Sequence, residues 1–136
     1  MIRYMLDTNM IAYAKNRRPA CVLDRMLNHD PSEICISSIT MAELEFGVFR
    51  SSRPEQNRMA LMLFLSGISV LPFEADAAFE YGDIRQQLQS RGIIISGNDL
   101  LIAAHARALD LTLVTHNTRG FSRVERLKLE DWVLTY

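Results

Sequence analysis

Three acidic residues and one amide stand at positions where α/β proteins commonly place their chemistry. Asp7 ends a short apolar segment, Glu43 lies in an apolar helical stretch, and Asp99 begins another helix. Asn117 follows the last clear strand. Carboxylate oxygens are hard ligands that suit Mg²⁺ or Mn²⁺. A cation held by carboxylates can activate water and stabilise the charge that develops on a phosphodiester. These positions predict a metal-dependent hydrolase or phosphotransferase.

Each of these residues also has a simpler structural explanation. Asp7 and Asp99 can each cap the helix that follows, because an aspartate at a helix start accepts hydrogen bonds from backbone N–H groups. Glu43 can close a capping box that starts at Thr40. Asn117 in a turn carries little information by itself. A plain α/β domain whose acids are helix caps therefore stays open as an interpretation.

The apolar pattern around Glu43 favours a functional role. At about 100° per residue, Glu43 falls inside an apolar arc that predicts the core-facing side of its helix. A carboxylate on such a side is costly unless it is paired or binds a ligand. Ser37 or Ser38 is a better helix start than Thr40. The arc consists of Ile39, Ala42, Phe46, Gly47 and Phe49.

The composition is that of an ordinary globular protein. The chain has 136 residues, of which 49% are hydrophobic and 23% charged, which predicts one domain over residues 1–136. The 15 Lys and Arg residues against 16 Asp and Glu residues give a net charge of −1. This balance argues against a protein held on nucleic acid by a large basic face alone. Cys21 and Cys35 form neither a disulfide framework nor a zinc pattern.

Membrane and export signals are not visible in the sequence. The longest nearly apolar run, residues 59–65, is too short to cross a bilayer. The first residues are interrupted by Arg3 and Asp7 and do not look like a signal peptide. We therefore expect a cytoplasmic protein without a membrane partner. Met59 and Met62 are expected to be core residues, with a partner surface as the alternative.

Short apolar strands alternate with helical patterns along the chain. Strands are predicted at residues 2–6, 34–36, 70–73 and 111–115, and helices at 19–27, 38–49, 54–65, 77–91 and 99–109. A further helix is expected to start just after Asp7. This alternation predicts an α/β fold with a central, mainly parallel sheet and helices on both faces. The carboxyl ends of parallel strands meet at one edge, so the strand-end acids should lie together.

Four segments of the sequence resemble the PIN domain family and, within it, the VapC toxins of bacterial type II toxin–antitoxin systems. They are MLDTN at residues 5–9, ISSITMAEL at 36–44, NDLLIAAHA at 98–106 and LVTHNTRGF at 113–121. Their order and spacing cover almost the whole chain. The resemblance implies a three-layer α/β/α sandwich around a parallel sheet.

The resemblance also implies an endoribonuclease that depends on Mg²⁺, with Mn²⁺ as a substitute. It assigns catalytic roles to Asp7, Glu43 and Asp99, with Asp7 and Asp99 as metal ligands. The residues it implies as supporting groups, which orient the carboxylates or the attacking water, are Thr8, Asn9, Thr115 and Asn117. Apart from the resemblance, Arg119 is a candidate contact to a backbone phosphate, although most exposed arginines are simply solvated.

The resemblance further implies a substrate and partners. Toxins of this pattern cut the anticodon region of initiator tRNA and so inhibit translation, which makes that tRNA the expected RNA substrate. A VapB-type antitoxin is expected to neutralise the toxin by covering its groove. A toxin homodimer and a larger complex with antitoxin are also implied, with operator DNA reached only through the antitoxin.

One position departs from the family pattern. Two residues after Asn117 comes Arg119, and the family usually places Asp or Glu next, where this chain has Gly120. The missing acid should weaken any second metal site, so we expect reduced activity that Gly120→Glu increases. An alternative function follows from the same residue: a catalytically weakened or inactive PIN domain that acts only by binding antitoxin in an operator-bound complex. A haloacid-dehalogenase-like phosphatase is set aside because Asn9 occupies the place of its second aspartate.

Overall fold

Five short parallel strands form the centre of the molecule. In a computed structural model, which describes residues 1–133, they are β1 (Tyr4–Leu6), β2 (Ile34–Ser37), β3 (Ser69–Leu71), β4 (Thr112–Val114) and β5 (Lys128–Glu130). The order in the sheet is β3-β2-β1-β4-β5, and every neighbouring pair is parallel. The predicted α/β fold with a parallel sheet is confirmed. The last three residues of the domain predicted for 1–136 lie outside the described residues.

Helices connect these strands at close to the predicted positions. They are α1 (Thr8–Asn16), α2 (Ala20–Leu27), α3 (Ser38–Phe49), α4 (Pro54–Phe64), α5 (Ala75–Ser90), α6 (Gly97–Ala108) and α7 (Thr118–Phe121). A 3₁₀ turn spans Pro31–Glu33. The sequence did not predict α7 or β5. The edge strand β5 was not predicted because two of its three residues, Lys128 and Glu130, are charged and only one is apolar.

Apolar side chains of the strands pack on both faces of the sheet. Successive residues of a strand point to opposite faces, so Tyr4 and Leu6 join one buried cluster with residues of α1, α2 and α4. Met5 joins a second cluster with Ile102 of α6 and Phe121 of α7. Helices therefore cover both faces, as the three-layer prediction requires.

Most of the predicted apolar arc of α3 does not face the core. Ile39 packs against a buried cluster, but Phe46 and Phe49 are 65% and 70% exposed and Ala42 is exposed as well, so the predicted core-facing arc is wrong at these three residues. Met59 and Met62 of α4 are 65% and 57% exposed, so the prediction that they are core residues is also wrong. We call Phe46, Phe49, Met59 and Met62 the α3–α4 apolar surface. Large apolar side chains exposed on two helices that contact each other are typical of partner-binding surfaces.

A buried arginine fixes α6 against α5. The Arg107 side chain is only 4% exposed and donates to Glu80 and Asp83 of α5, each at 2.6 Å from Nη2. Its Nη1 donates to the Glu125 carbonyl at 3.1 Å. From the surface, Arg126 reaches the same Asp83 at 3.4 Å. Because α6 carries Asp99, this ion-pair network also holds one of the candidate catalytic residues.

Two further properties concern the environment of the chain. Within residues 1–133, no helix is both long and apolar enough to cross a bilayer. Cys21 and Cys35 are free thiols, and burial raises the pKa of the Cys35 thiol to about 12.

Arg107→Ala should destabilise the fold strongly, because it leaves two partly buried carboxylates without their cation. We expect a loss of about 3 kcal/mol in the free energy of unfolding, measured by urea denaturation. Arg126→Ala is the matched control, since it removes an exposed partner of the same Asp83 and should cost less than about 1 kcal/mol. Equal losses in the two variants would contradict the role given to Arg107.

Candidate active site

Asp7 is locked in place where β1 ends. Its backbone N–H donates to the Val114 carbonyl at 3.1 Å, which continues the pairing of β1 with β4. Its Oδ1 accepts the Met10 N–H at 2.9 Å and so caps α1. The Thr115 side chain hydrogen-bonds to the same carboxylate. Asp7 is therefore a helix cap, as its simpler explanation proposed, but a buried one at the carboxyl edge of the sheet.

Mutual repulsion shows that the three acids are neighbours. Burial is the main reason why the pKa of Asp7 rises from 3.8 to about 6, and the negative charges of Asp99 and Glu43 add to this rise. The hydrogen bonds from Thr115 and Met10 lower the pKa and so partly oppose it. Burial also raises the pKa of Asp99, with a further contribution from Glu43. No Lys, Arg or His side chain in residues 1–133 forms an ion pair with any of the three acids.

Neutral donors hold both oxygens of Glu43. The Thr8 hydroxyl donates to Oε1 at 2.5 Å, and Nδ2 of Asn98 donates to Oε2 at 3.2 Å. Glu43 thereby links its own helix α3 to the first residue of α1 and the first turn of α6. The capping box starting at Thr40 does not form. The cap of α3 is Ser37, whose Oγ accepts the Ile39 N–H at 3.0 Å.

Asp99 lies in the first turn of α6 and is not its cap. The cap is Ser96, whose Oγ accepts the Asp99 N–H at 3.3 Å. The cap interpretation of Asp99 is therefore wrong, and its carboxylate is left for another role. The Ser-x-x-Asp spacing of residues 96–99 is a recognisable capping pattern that the sequence analysis missed. Asn98 was missed because no local pattern reveals a contact to a residue 55 positions away.

A buried bond connects the helices that carry Glu43 and Asp99. The Ser37 hydroxyl lies 2.8 Å from Nδ1 of His105, which belongs to α6. The ring also hydrogen-bonds to the backbone of Pro72, and burial is the largest cause that lowers its pKa. A neutral imidazole can accept the Ser37 proton at Nδ1 while Ser37 keeps its bond to the Ile39 N–H. His105 is therefore a structural residue whose Nδ1 has a hydrogen-bond partner.

The other predicted site residues differ in their involvement. Thr8 and Thr115 contact the acids directly, as described above. The Asn117 N–H donates to Thr115 Oγ1 at 3.0 Å, so Asn117 is attached to the site through Thr115. Asn9 and Arg119 are exposed. Neither makes a side-chain hydrogen bond to another residue in the described part of the chain.

Gly120 leaves room for the side chain of Asn117. Asn117 Oδ1 accepts the Gly120 N–H at 3.3 Å and caps the short helix α7. A Cβ on Gly120 would lie 2.9 Å from Asn117 Nδ2 and 3.0 Å from Oδ1. An acid at this position would therefore have to displace the carboxamide. Asn117, Gly120, Arg119 and Asp99 all line one open cleft of about 340 Å³.

The donor set suits a hard divalent cation, although the chain does not enclose one by itself. Within residues 1–133, no three His, Cys, Asp or Glu side chains form a group that could hold a metal ion. Asp7 and Asp99 are the two acids whose pKa values are raised, and these are the carboxylates that would hold such a cation. Mg²⁺ commonly uses one or two carboxylates and completes its shell with water and substrate phosphate. Such a cation would also relieve the repulsion between these acids.

Comparison with known proteins shows the family of the chain. The sequence matches the PIN domain over residues 4–127. It is 45% identical to Ribonuclease VapC2 of Rickettsia felis over 95% of this chain and 97% of that protein. It is 42% identical to the tRNA(fMet)-specific endonuclease VapC of Shigella flexneri, over 97% and 99% of the two chains.

A solved structure gives the same result for the fold. VapBC2 from Rickettsia felis, bound to a DNA fragment from its promoter, contains a chain that is 44% identical and superimposes with a TM-score of 0.88. The match covers 97% of this chain and 99% of that one. The chain therefore belongs to the PIN domain family, within the VapC group of that family.

Proposed function

We propose that this chain is a metal-dependent endoribonuclease toxin of a type II toxin–antitoxin system. The observation that carries the proposal is the cluster of Asp7, Glu43 and Asp99 at the carboxyl edge of the sheet. Two of these acids have raised pKa values, and each repels at least one other member of the cluster. Burying like charges is costly, so a site of this kind is expected to be kept for a cation and a phosphodiester.

Asp7 and Asp99 are the proposed ligands of Mg²⁺, with Mn²⁺ as a substitute. When bound, the cation would make a water molecule more acidic and offset the negative charge that develops on the phosphodiester. Thr115 and the Met10 N–H keep the Asp7 carboxylate oriented. Glu43, held by Thr8 and Asn98, is the proposed acceptor of the proton from the attacking water. The water oxygen bonds to phosphorus as the bond to the leaving ribose oxygen breaks.

The proposed substrate is initiator tRNA, cut in its anticodon region. The support is the name of the Shigella flexneri relative, a tRNA(fMet)-specific endonuclease, at 42% identity. Arg119 is the proposed contact to a backbone phosphate beside the scissile bond, because it lines the same cleft as Asp99. Asn9 is exposed next to the site and is proposed to contact the attacking water or the RNA.

A VapB-type antitoxin is the proposed protein partner, together with a second copy of this chain. The solved relative from Rickettsia felis is a VapBC2 complex on promoter DNA, which supports operator DNA as a contact made through the antitoxin. Two apolar regions of the surface are suited to protein partners. One is the α3–α4 apolar surface, and the other is a groove of about 490 Å³ whose walls include Leu23, Leu27 and Leu63.

Gly120 is proposed to reduce the activity without abolishing it. The three acids keep their positions without a fourth, and Asn117 fills the space beside Gly120. The competing function is an inactive PIN domain that only binds antitoxin in an operator-bound complex. The two functions differ in whether the purified chain cuts RNA.

The first prediction from this proposal concerns cleavage. Purified chain free of antitoxin should cut initiator tRNA once, in the anticodon loop, with Mg²⁺ present and not with EDTA. Asp7→Asn should reduce the rate at least about 100-fold, and added antitoxin should stop the reaction. Sequencing gels of end-labelled tRNA measure all four conditions. A cut that persists in EDTA or in Asp7→Asn would contradict the proposed site. If neither the folded chain nor Gly120→Glu cuts the RNA, the binding-only function is favoured.

The second prediction is that Asp7→Asn stabilises the fold. The folded protein raises the pKa of Asp7 from 3.8 to about 6, so its stability relative to the unfolded chain falls as the pH rises through this window. Above it, Asp7→Asn should increase the free energy of unfolding by about 1–3 kcal/mol, because Asn still caps α1. Urea denaturation in EDTA at neutral pH measures the difference.

Two controls sharpen this measurement. Below about pH 3 the carboxyl is protonated in both states, so Asp7→Asn and the unsubstituted chain should be equally stable. Asp24→Asn, at an exposed position of α2, should change stability by less than about 0.5 kcal/mol at any pH. If Asp7→Asn is less stable than the unsubstituted chain at neutral pH, the charged Asp7 carboxylate does not destabilise the folded state and this prediction is contradicted.

The third prediction isolates the missing acid. Gly120→Ala and Gly120→Glu both place a Cβ against Asn117, but only the second adds a carboxylate. Gly120→Glu should therefore cleave initiator tRNA about tenfold faster than Gly120→Ala, with Mg²⁺ at a limiting concentration. Steady-state rates of the two variants provide the test. Equal rates would mean that an acid at this position is not used by this chain.

A further inference from the structure

A short apolar ridge separates two adjoining depressions beside the acidic site. The ridge consists of Ile94 and Ile95, which precede α6 and line both depressions. Ile94 is 92% exposed, an unusual position for an aliphatic side chain that neighbours a cluster of acids. One depression is the cleft that reaches Asp99, and the other is a separate pocket of about 240 Å³ against α5.

The cleft has the charges that a nucleic-acid backbone requires. Arg119 and Arg123 both line it, together with Ile94 and Asp99. Both arginines are exposed, and within residues 1–133 neither side chain has an acidic partner. Unpaired guanidinium groups beside a phosphodiester-cleaving site are suited to bind the neighbouring phosphate.

The pocket beyond the ridge has different chemistry. Its walls include Leu88 and Leu100, which are buried, and the aromatic ring of Tyr81. Arg85 donates to the Tyr81 hydroxyl at 2.9 Å, and its guanidinium lies 5.9 Å from the ring centre. An apolar interior with an aromatic ring and a few polar groups at the rim is the usual surrounding of a flat heterocycle.

We propose that the pocket lined by Tyr81, Arg85 and Leu100 binds one unpaired base of the RNA substrate, next to the scissile phosphate. Arg119 and Arg123 hold the phosphate that neighbours the scissile one, on one side of the ridge. The base passes over Ile94 into the pocket on the other side. This inference rests on the proposed endoribonuclease function and adds a specificity subsite to it. A base in a duplex is stacked and inaccessible, so the subsite selects loops.

The test combines a protein variant with an RNA variant. The RNA is the anticodon stem–loop of initiator tRNA, made intact and with a single abasic nucleotide at each loop position in turn. One abasic position flanking the cut should lower kcat/KM of the unsubstituted chain about tenfold. Tyr81→Leu, which keeps an apolar wall but removes the ring, should lower kcat/KM of the intact RNA to a similar extent. The same abasic position should then cause no further loss.

Matched variants separate this effect from misfolding. Phe79→Leu removes an aromatic ring that is 77% exposed on the same helix but does not line the pocket, and it should cleave like the unsubstituted chain. Ile94→Ser changes a side chain too exposed to support the fold, and it should reproduce the loss seen for Tyr81→Leu. If every abasic position affects Tyr81→Leu and the unsubstituted chain equally, the base subsite is refuted.

A binding measurement keeps this inference separate from the proposed function. Fluorescence anisotropy of the labelled stem–loop in EDTA needs no cleavage, and Tyr81→Leu should bind about tenfold more weakly than Phe79→Leu. If the unsubstituted chain does not cut the RNA but the two variants still differ in RNA affinity, the nuclease function is refuted and the base-binding pocket stands. Equal RNA affinities of the two variants would overturn the proposal that the pocket binds a base. If Tyr81→Leu then also lost antitoxin binding, the pocket would belong to the interface with the protein partner.

Discussion

The whole structure depends on one constraint: three neighbouring acids carry negative charge that no ion pair within residues 1–133 neutralises. Asp7 follows the central strand of the sheet, where its backbone pairs with β4 and the residue is 5% exposed. Burial is the main cause that raises the pKa of Asp7, and repulsion from Asp99 and Glu43, retained in the folded state, adds to it. The remaining structure must therefore hold three acids together against their own electrostatics, and the two buried clusters on either side of the sheet supply the stability that this requires.

Hydrogen bonds from neutral groups position the acids, and ion pairs are kept elsewhere. Thr8 and Asn98 bond to Glu43, and Ser37 with His105 ties α3 to α6. Hydroxyl and amide donors orient a carboxylate without cancelling its charge, which leaves the charge available to a cation. The strong ion pairs of Arg107 lie at the interface of α5 and α6, in the last turn of α6, whereas Asp99 lies in its first turn. A guanidinium inside the acidic cluster would compete with the metal for the same oxygens.

Local sequence patterns predicted four of the five strands and the position of Asp7, and they failed where long-range contacts decide. Asp7 follows β1, and the carboxyl ends of parallel strands meet at one edge, so its place in the fold could be predicted. Asp99 follows α5 and not a strand, so only folding brings it to the same edge. Glu43 was selected from an apolar arc thought to face the core, yet Phe46 and Phe49 of that arc are exposed. A helix that is apolar on most sides gives no signal for which side the chain itself covers. The roles of Asn98 and of the space beside Gly120 depend on residues brought together only by folding.

The strand order has a consequence for the chain during its own synthesis. β1 leaves the ribosome first, but it occupies the centre of the sheet and must wait for β4, the fourth strand, to pair on its open side. Until Thr115 has emerged, Asp7 lacks both the Val114 carbonyl and the Thr115 hydroxyl that fix it. A nascent chain interrupted before that point has no assembled cluster of acids. The cluster of Asp7, Glu43 and Asp99 is thus assembled late, after residue 115 has left the ribosome.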